Sequence, residues 1–423
     1  MEKKNRITRM GFVADESIDY FIQILVTSTF LGYILSAIGF NDAMQGIITN
    51  VTTFCLGAQL IAPLLAGKRV KRIVTVAMFL SHISFTLIYL LPISSLPDGA
   101  TSVILVALLF FGFLVNNAVK PSRLTWLMTS VPKEKRGGFT AVKEIISLIG
   151  GIIISLSFGV IADSFRKDNG DPESEYYLIC FVALLLMTVI HTVSLVISTE
   201  HEPSAELAKK EKSGVLSVLK NPAVGKIMVV DLLWHISTSF SVSFFPSYLR
   251  EELAFSFTEI TALSTVSLLA RIVMSPLMGR IADKYSFKTS MALSFGFKCV
   301  GLMAILFTFP GQMRWFYVVY CLFTGFAMAG ANSGFLNIVY DYIPERDRAS
   351  VLGIKSTAAG ITGFLAAIIS GAWLSVIQEN GGINLCGITF YAQQIQSLVS
   401  IVVIAIVTVY TYTVIGKLKK VEE

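Results

Sequence analysis

Apolar residues fall into long runs along the whole chain, and short polar stretches separate them. A helix needs roughly 20 mostly apolar residues to cross the hydrocarbon core of a bilayer. Twelve runs of about that length occur, at approximately 20–40, 45–66, 73–91, 101–119, 139–161, 176–198, 224–248, 258–278, 289–309, 315–339, 350–377 and 390–415. The pattern predicts an all-α integral membrane protein with twelve transmembrane helices, numbered below as spans one to twelve.

The longest polar stretch, residues 199–221, lies almost at the midpoint of the 423-residue chain and is rich in Glu and Lys. A charged segment of this kind between two sets of apolar runs is typical of a solvated linker. We therefore predict an N-terminal six-helix bundle (1–198), a cytoplasmic linker (199–223) and a C-terminal six-helix bundle (224–423).

Composition narrows the class of protein further. The chain is 54% hydrophobic and only 15% charged, whereas a soluble domain carries about 25% charged residues. This excludes a soluble enzyme, a disordered chain and a disulfide scaffold. The five cysteines are scattered, and neither a P-loop nor an H-E-x-x-H motif occurs, so we expect no ATP-driven pump, no enzyme, no metal and no cofactor.

The basic residues predict the orientation. Of 34 Lys and Arg, 26 fall on the side of the N-terminus, including Arg123 in a loop after span four, and four fall on the opposite side. Lys and Arg accumulate in cytoplasmic loops. We therefore expect a multi-pass protein of the plasma (inner) membrane with both termini in the cytoplasm. The net charge of +6 then reflects this asymmetry and not nucleic-acid binding.

The two halves of the chain are related by a constant offset of 212 residues. Residues 131–136 align with 343–348, and the offset holds through the spans that follow and through span one. One offset across separate segments indicates parallel repeats related by an axis along the membrane normal. The aligned pairs are Asp19 with Asp231, Gln23 with His235, Thr27 with Ser239, Lys143 with Lys355, and Gly151 with Gly363.

Twelve spans in a 6+6 division and a loop motif after span eight resemble the major facilitator superfamily (MFS) of secondary transporters. The motif is G-x-x-x-D-[RK]-x-G-[RK]-[RK]; Gly279, Asp283, Lys284 and Lys288 match it, while residues 286 and 287 depart from it. In the first half Lys71 stands where the motif has Asp. The resemblance implies an MFS fold in which Asp283 faces the cytoplasmic end of span five and forms part of a gate. The alternative is that Asp283, Lys284 and Lys288 only solvate a loop.

The resemblance also implies that spans one, four, seven and ten line a central cavity. Candidate cavity residues are therefore Asp19 (at the mouth of span one), Gln23, Thr27, Asn116, Asn117, Asp231, Trp234, His235, Ser239, Asn332 and Asn337. Asp231 and His235 lie four residues apart and share a helix face. A pair with a histidine is suited to proton coupling; the alternative is a structural pair that neighbouring helices satisfy.

Small residues and in-span charges supply candidates for moving surfaces. Gly151 and Gly363 belong to stripes of small residues at every fourth position, which let helices approach closely, either across the seam between the bundles or inside each bundle. Lys143 and Lys355 lie two turns inside their spans, so they either extend to the interface or contact the opposite bundle. Arg271 and Lys298 lie deeper and are suited either to an anionic solute or to an ion pair with Glu144.

The sequence thus predicts a secondary active transporter that moves a small polar solute, a sugar or an organic anion, by alternating access with a coupling proton. The alternative is a multidrug or metabolite exporter of the same superfamily; a transporter-like receptor or membrane-embedded enzyme is a third class. We expect the solute, the coupling ion H⁺ and the lipid bilayer as partners, and a monomer.

Overall fold

A computed structural model describes residues 2–61, 70–128, 130–131, 136–165, 173–199, 220–385 and 387–418. Helices make up nearly all of this part of the chain, and the strands in it form one short antiparallel hairpin in which Ile383 pairs with Phe390. The all-α prediction is therefore confirmed, with the hairpin between spans eleven and twelve as an addition.

The helices of the first half follow the apolar runs. They are α1 (Glu2–Leu25), α2 (Ser28–Ala37), α3 (Asp42–Thr49), α4 (Val51–Phe54), α5 (Val70–Leu87), α6 (Asp98–Met128), α7 (Arg136–Ser164) and α8 (Ser174–Ile197), with 3₁₀ segments at Cys55–Ile61 and Ile88–Ile93.

The second half begins with α9 (Pro222–Ser241), which continues as short 3₁₀, α and π segments at Val242–Phe244, Phe245–Ser247 and Tyr248–Glu252. The remaining elements are α10 (Phe257–Lys284), α11 (Phe287–Leu306), a 3₁₀ segment at Gly311–Trp315, α12 (Phe316–Tyr342), α13 (Glu345–Glu379), β1 (Ile383–Leu385), β2 (Ile388–Phe390), α14 (Ala392–Thr413) and a last turn at Ile415–Lys417.

Within the described residues, ten helices are long and apolar enough to cross a membrane, and α1 with α2 makes an eleventh that bends by 42°. The predicted span at 45–66 is broken into α3, α4 and a 3₁₀ segment, and its last residues lie outside the described part. At the break the Asn50 side chain donates to the Gly46 carbonyl at 2.9 Å, and this bond competes with the regular backbone ladder.

The first helix begins much earlier than the apolar pattern predicts. Because α1 starts at Glu2, Asp19 lies inside the helix and only 5% of its surface is exposed. The expectation that Asp19 lies at the mouth of span one is therefore wrong. Polar residues before position 20 lower the local hydropathy, yet Thr8, Asp15 and Ser17 among them are buried.

The chain divides into two compact units. The first contains Met1–Asn41 and Cys55–Lys210, and the second contains Asp42–Phe54 and Glu211–Glu423. In the first unit α1 packs against α7 and α8, and α5 packs against α6 and α8. This packing brings five helices around one interior point. The predicted boundaries of the bundles and linker stay a prediction, because most of the linker lies outside the described residues.

The second unit includes α3 and α4, although they come early in the chain. Both helices pack against α13, where Gly360 meets the Thr53 backbone and Gly371 meets Ile47. The core of this unit combines aliphatic and aromatic side chains, with Trp234 packed between the rings of Phe295 and Phe335 at centroid distances of 5.4 and 5.6 Å.

Large apolar side chains cover the outward faces of the helices. In water such a surface would be unfavourable, whereas it matches the hydrocarbon of a bilayer, where helices satisfy their own backbone hydrogen bonds. Examples from five helices are Val103, Ile153, Leu186, Val273 and Ile369, each more than half exposed.

Candidate functional site

A buried group of ionisable side chains lies in the interior of the first unit. It is called the charged cluster below and consists of Asp15, Glu16 and Asp19 from α1, His82 from α5, Arg123 from α6, Lys143 from α7 and His191 from α8. Five different helices therefore contribute to one site.

Arg123 is the centre of the charged cluster, and only 1% of its surface is exposed. Its Nη2 donates to Asp19 Oδ2 at 2.8 Å and to Glu16 Oε1 at 3.0 Å. Its Nε lies 3.6 Å from Asp15 Oδ2. A buried guanidinium is costly unless it is paired, and its planar fork allows several carboxylates to contact it at once.

Asp19 has the most complete set of partners. Besides Arg123, it accepts from Asn116 Nδ2 at 3.0 Å and from Gln23 Nε2 at 3.4 Å, and His82 Nε2 lies 3.1 Å from Oδ1. The structure thus brings three of the predicted cavity residues together. Here Gln23 and Asn116 hold the Asp19 carboxylate in place.

Lys143 connects α7 to α1 within the same unit. Its Nζ donates to Glu16 Oε2 at 2.8 Å and lies 5.1 Å from the centroid of the Phe12 ring. Beside it, the hydroxyls of Ser17 and Ser147 are 2.8 Å apart. Lys143 is 9% exposed, and its described contacts lie inside the first unit. They match neither extension to the membrane interface nor contact with the opposite bundle.

The second unit has a simpler arrangement at the matching positions. Lys355 Nζ donates to Asp231 Oδ1 at 2.8 Å and to the Phe335 carbonyl at 3.2 Å, and it lies 5.0 Å from the Phe335 ring centroid. Asp231 is 3% exposed, whereas His235 is half-buried one turn away. The close partner of Asp231 is therefore Lys355 of a neighbouring helix and not His235.

The other cavity candidates are more dispersed. Thr27 is the N-cap residue of α2 at the bend of the first span, and its hydroxyl donates to the Gln23 carbonyl at 2.6 Å. Asn117 accepts from Gln59 at 3.3 Å. Ser239 is buried, Asn332 is exposed, and the side chain of Asn337 lies outside the described part.

The predicted gating residues can be placed only in part. Gly279 lies in α10 with no atom within 4 Å of the position that a Cβ would take. Lys284 is exposed, with Nζ 5.3 Å from the Tyr285 ring centroid, and Arg271 is half-buried in the same helix. The side chain of Asp283 is not among those described, so the gate stays a prediction.

The two glycine candidates contact helices of their own units. A Cβ at Gly151 would collide with Tyr20 of α1. A Cβ at Gly363 would lie 2.9 Å from Ser239 Oγ and 3.1 Å from Thr53 Cγ2. The Gly151 contact lies within the predicted N-terminal bundle, whereas the Gly363 contact with Thr53 joins predicted span eleven to predicted span two. The role of the small-residue stripes therefore stays a prediction.

Five residues of the charged cluster were missed by sequence reasoning: Asp15, Glu16, His82, Arg123 and His191. Arg123 was assigned to a cytoplasmic loop, which is wrong because α6 continues past Pro121 to Met128. Two signals were available: Asp15 and Asp19 share a helix face at four-residue spacing, and histidines within apolar spans need partners.

Ionisable side chains inside a membrane bundle mark the pathways of ions and solutes. A helical bundle with an apolar outer surface and such a buried site defines a multi-pass membrane transport protein. The family model described as Major Facilitator Superfamily matches residues 17–248 and 227–423, so the chain belongs to this superfamily. The predicted family and fold are confirmed.

Individual relatives agree with this assignment. The α-ketoglutarate permease of Escherichia coli (strain K12) is 25% identical over 215 residues, which are 50% of this chain and 47% of the permease; the match thus spans about half of that relative. A crystal structure of a point mutant of the nucleoside transporter NupG has a TM-score of 0.73 at 13% identity and covers 96% of this chain and 98% of its own.

A bacterial homologue of the human lysosomal transporter Spinster, in an inward-facing and unoccupied conformation, has a TM-score of 0.68 at 13% identity and covers 97% of this chain and 96% of its own. At these identities the two solved structures support the fold. The relatives are transporters and not enzymes.

Proposed function

We propose that this protein is a secondary active transporter of the plasma membrane that moves a small organic anion by alternating access, with a proton as the coupling ion. The observation that supports it most strongly is the charged cluster in the first unit. Ionisable groups are costly inside a membrane, and they persist there when they bind or move a charged species.

Lys355 favours an anionic solute. An ammonium group has three donors, and the contacts of Lys355 use two of them, on Asp231 and on the Phe335 carbonyl. Within the described residues the third donor has no acceptor, and we assign it to a carboxylate of the solute. The E. coli relative is named as a permease of α-ketoglutarate, an organic anion, which agrees with this proposal.

The solute class can be tested by thermal unfolding of the purified protein against organic acids, sugars, nucleosides and lipophilic cations. A ligand that binds only the folded state raises its stability by about 2.7 kcal/mol at 100 times its Kd. We expect organic acids to raise the Tm of the wild type and to have no effect on Lys355→Met. The matched control Lys220→Met, at an exposed position, should respond as the wild type does.

Transport itself is tested in proteoliposomes with the acid found in that screen. We expect accumulation only when the lumen is alkaline, and its loss when a protonophore is added. A protein that binds the acid but never accumulates it under either gradient is a receptor, and the transport proposal fails. Accumulation of a sugar or a lipophilic cation in place of the acid would overturn the anion assignment.

A further inference from the structure

The charged cluster is not balanced in charge by its permanent ions. It contains three carboxylates, from Asp15, Glu16 and Asp19, and two permanent cations, Arg123 and Lys143. With both histidines neutral, the cluster carries one excess negative charge. Because an uncompensated buried charge is very costly, one bound proton is expected.

The two permanent cations are committed to the other two carboxylates. Arg123 donates at 2.8 Å to Asp19 and at 3.0 Å to Glu16, and Lys143 donates at 2.8 Å to Glu16. The contact of Arg123 with Asp15 is longer, at 3.6 Å, and is not a hydrogen bond. Asp15 is therefore the carboxylate whose charge is least compensated.

His191 is the group closest to Asp15. Its Nε2 lies 2.8 Å from Asp15 Oδ1, and both side chains are completely buried. Within the described residues, neither oxygen of Asp15 and neither ring nitrogen of His191 makes a hydrogen bond, so their 2.8 Å contact is a close approach without hydrogen-bond alignment. A proton on Nε2 would turn this contact into a charge-assisted interaction between an imidazolium and a carboxylate.

The other histidine is placed differently. His82 Nε2 contacts Asp19 Oδ1 at 3.1 Å, but Asp19 already accepts from Arg123 and Asn116. The rings of His82 and His191 meet edge to face with centroids 4.4 Å apart, so two imidazolium rings would repel each other. The geometry therefore favours a single proton, on His191.

We propose that the Asp15–His191 pair is a proton-binding site and that it holds one proton on the His191 ring. Among the described residues, the charged and titratable groups that face it are Asp19 and Glu16 on α1, His82 on α5, Arg123 on α6 and Lys143 on α7. As the site of the coupling proton it rests on the transport function proposed above. When the proton leaves, Arg123 is the nearest cation that can compensate Asp15, so proton release pulls Arg123 away from Glu16 and Asp19.

The proton can be observed directly, without knowledge of the solute. The chain has four histidines, so ¹⁵N-histidine labelling gives a simple NMR spectrum, and His191→Gln assigns one set of signals. At pH 7 we expect imidazolium shifts for His191 in the wild type. In Asp15→Asn the excess charge is gone, and His191 should show the shifts of a neutral ring at the same pH.

Ser194→Ala is the matched control on the same helix, because the Ser194 hydroxyl donates to the backbone carbonyl of His191 at 2.7 Å and not to its ring. It should keep the imidazolium shifts. A neutral His191 ring in the wild type at pH 7 overturns the assignment of the proton to His191, whether Asp15 is then protonated or paired with Na⁺. Thermal unfolding confirms that each variant is folded.

The coupling role has its own measurement. A gradient of one pH unit supplies about 1.4 kcal/mol per proton, so one coupled proton gives about tenfold accumulation. We expect Asp15→Asn and His191→Gln to lose this tenfold accumulation but to keep exchange of labelled for unlabelled solute. Unchanged accumulation in both overturns the coupling role, whereas absence of any transport in the wild type overturns only the transport proposal.

Discussion

The two units place different residues at equivalent positions, and the difference explains their ion pairs. Asp19 and Lys143 of the first unit correspond to Asp231 and Lys355 of the second, but Arg123 corresponds to Phe335. In the second unit the lysine pairs directly with the aspartate. In the first, Arg123 takes the aspartate and Lys143 pairs with Glu16.

This comparison shows how one added cation reorganises a buried site. In the second unit the charges of Asp231 and Lys355 balance each other beside the Phe335 ring. Met228 stands where the first unit has Glu16. The first unit has two further carboxylates and two histidines around its arginine. A balanced pair has no need of a bound proton, whereas the larger cluster does. We therefore expect the first unit to bind the proton and the second to be insensitive to pH at this position.

The largest effect is expected from Arg123→Met. It leaves three buried carboxylates with Lys143 as their one permanent cation, and breaking a buried ion pair in this way costs about 3–5 kcal/mol. The variant should be recovered in low yield with a strongly lowered Tm. Lys120→Met, an exposed position on the same helix, is the control, and an unchanged Tm in Arg123→Met would contradict the central position of Arg123.

A double-mutant cycle on Asp231 and Lys355 should show the simpler character of the second unit. Each of Asp231→Asn and Lys355→Met leaves one buried charge unpaired and should cost about 3 kcal/mol. The double variant should recover most of that loss, since it removes both charges. Additive losses, measured by chemical unfolding, would show that Asp231 and Lys355 do not stabilise each other and would contradict the pairing.

A smaller effect is expected from the packing glycines. Gly151→Ala places a methyl group against the Tyr20 ring, and overpacking of this kind costs about 1–3 kcal/mol. Gly279→Ala enters open space and should be neutral or raise stability by up to about 1 kcal/mol, because alanine favours helix. Equal Tm values for the two variants would show that Tyr20 simply moves aside.

The smallest effect is expected at Asp42 of the second unit. Its carboxylate accepts a hydrogen bond from the side-chain amide of Gln378, with 2.9 Å between Gln378 Nε2 and Asp42 Oδ2. Burial raises the pKa of Asp42. A carboxyl group whose pKa is raised in the folded state stabilises the fold at low pH, and this contribution is lost as the pH rises. Asp42→Asn should therefore slightly raise the Tm at pH 7 and leave it unchanged at pH 3; the opposite pH dependence would contradict the burial argument.

Parts of the fold and site were predictable from local signals. Asp19, Lys143, Asp231 and Lys355 stood out because charges are rare within apolar runs, and the repeat linked them in pairs. Their partners were not predictable, because Asp231 has His235 four residues away on its own helix but binds Lys355 of another. Arg123 was misplaced because Lys120 and Pro121 make its surroundings resemble a loop.

The sequence by itself determined the membrane class, the repeat and the superfamily. The length of the apolar runs, the distribution of basic residues and the constant offset can all be read from the order of residues, without knowing which residues meet in space. Only the tertiary structure decided which charges meet. Arg123 and Asp19 are 104 residues apart in the chain and 2.8 Å apart in space. Coulomb energy depends on that spatial distance and on burial, and neither is a property of a single span.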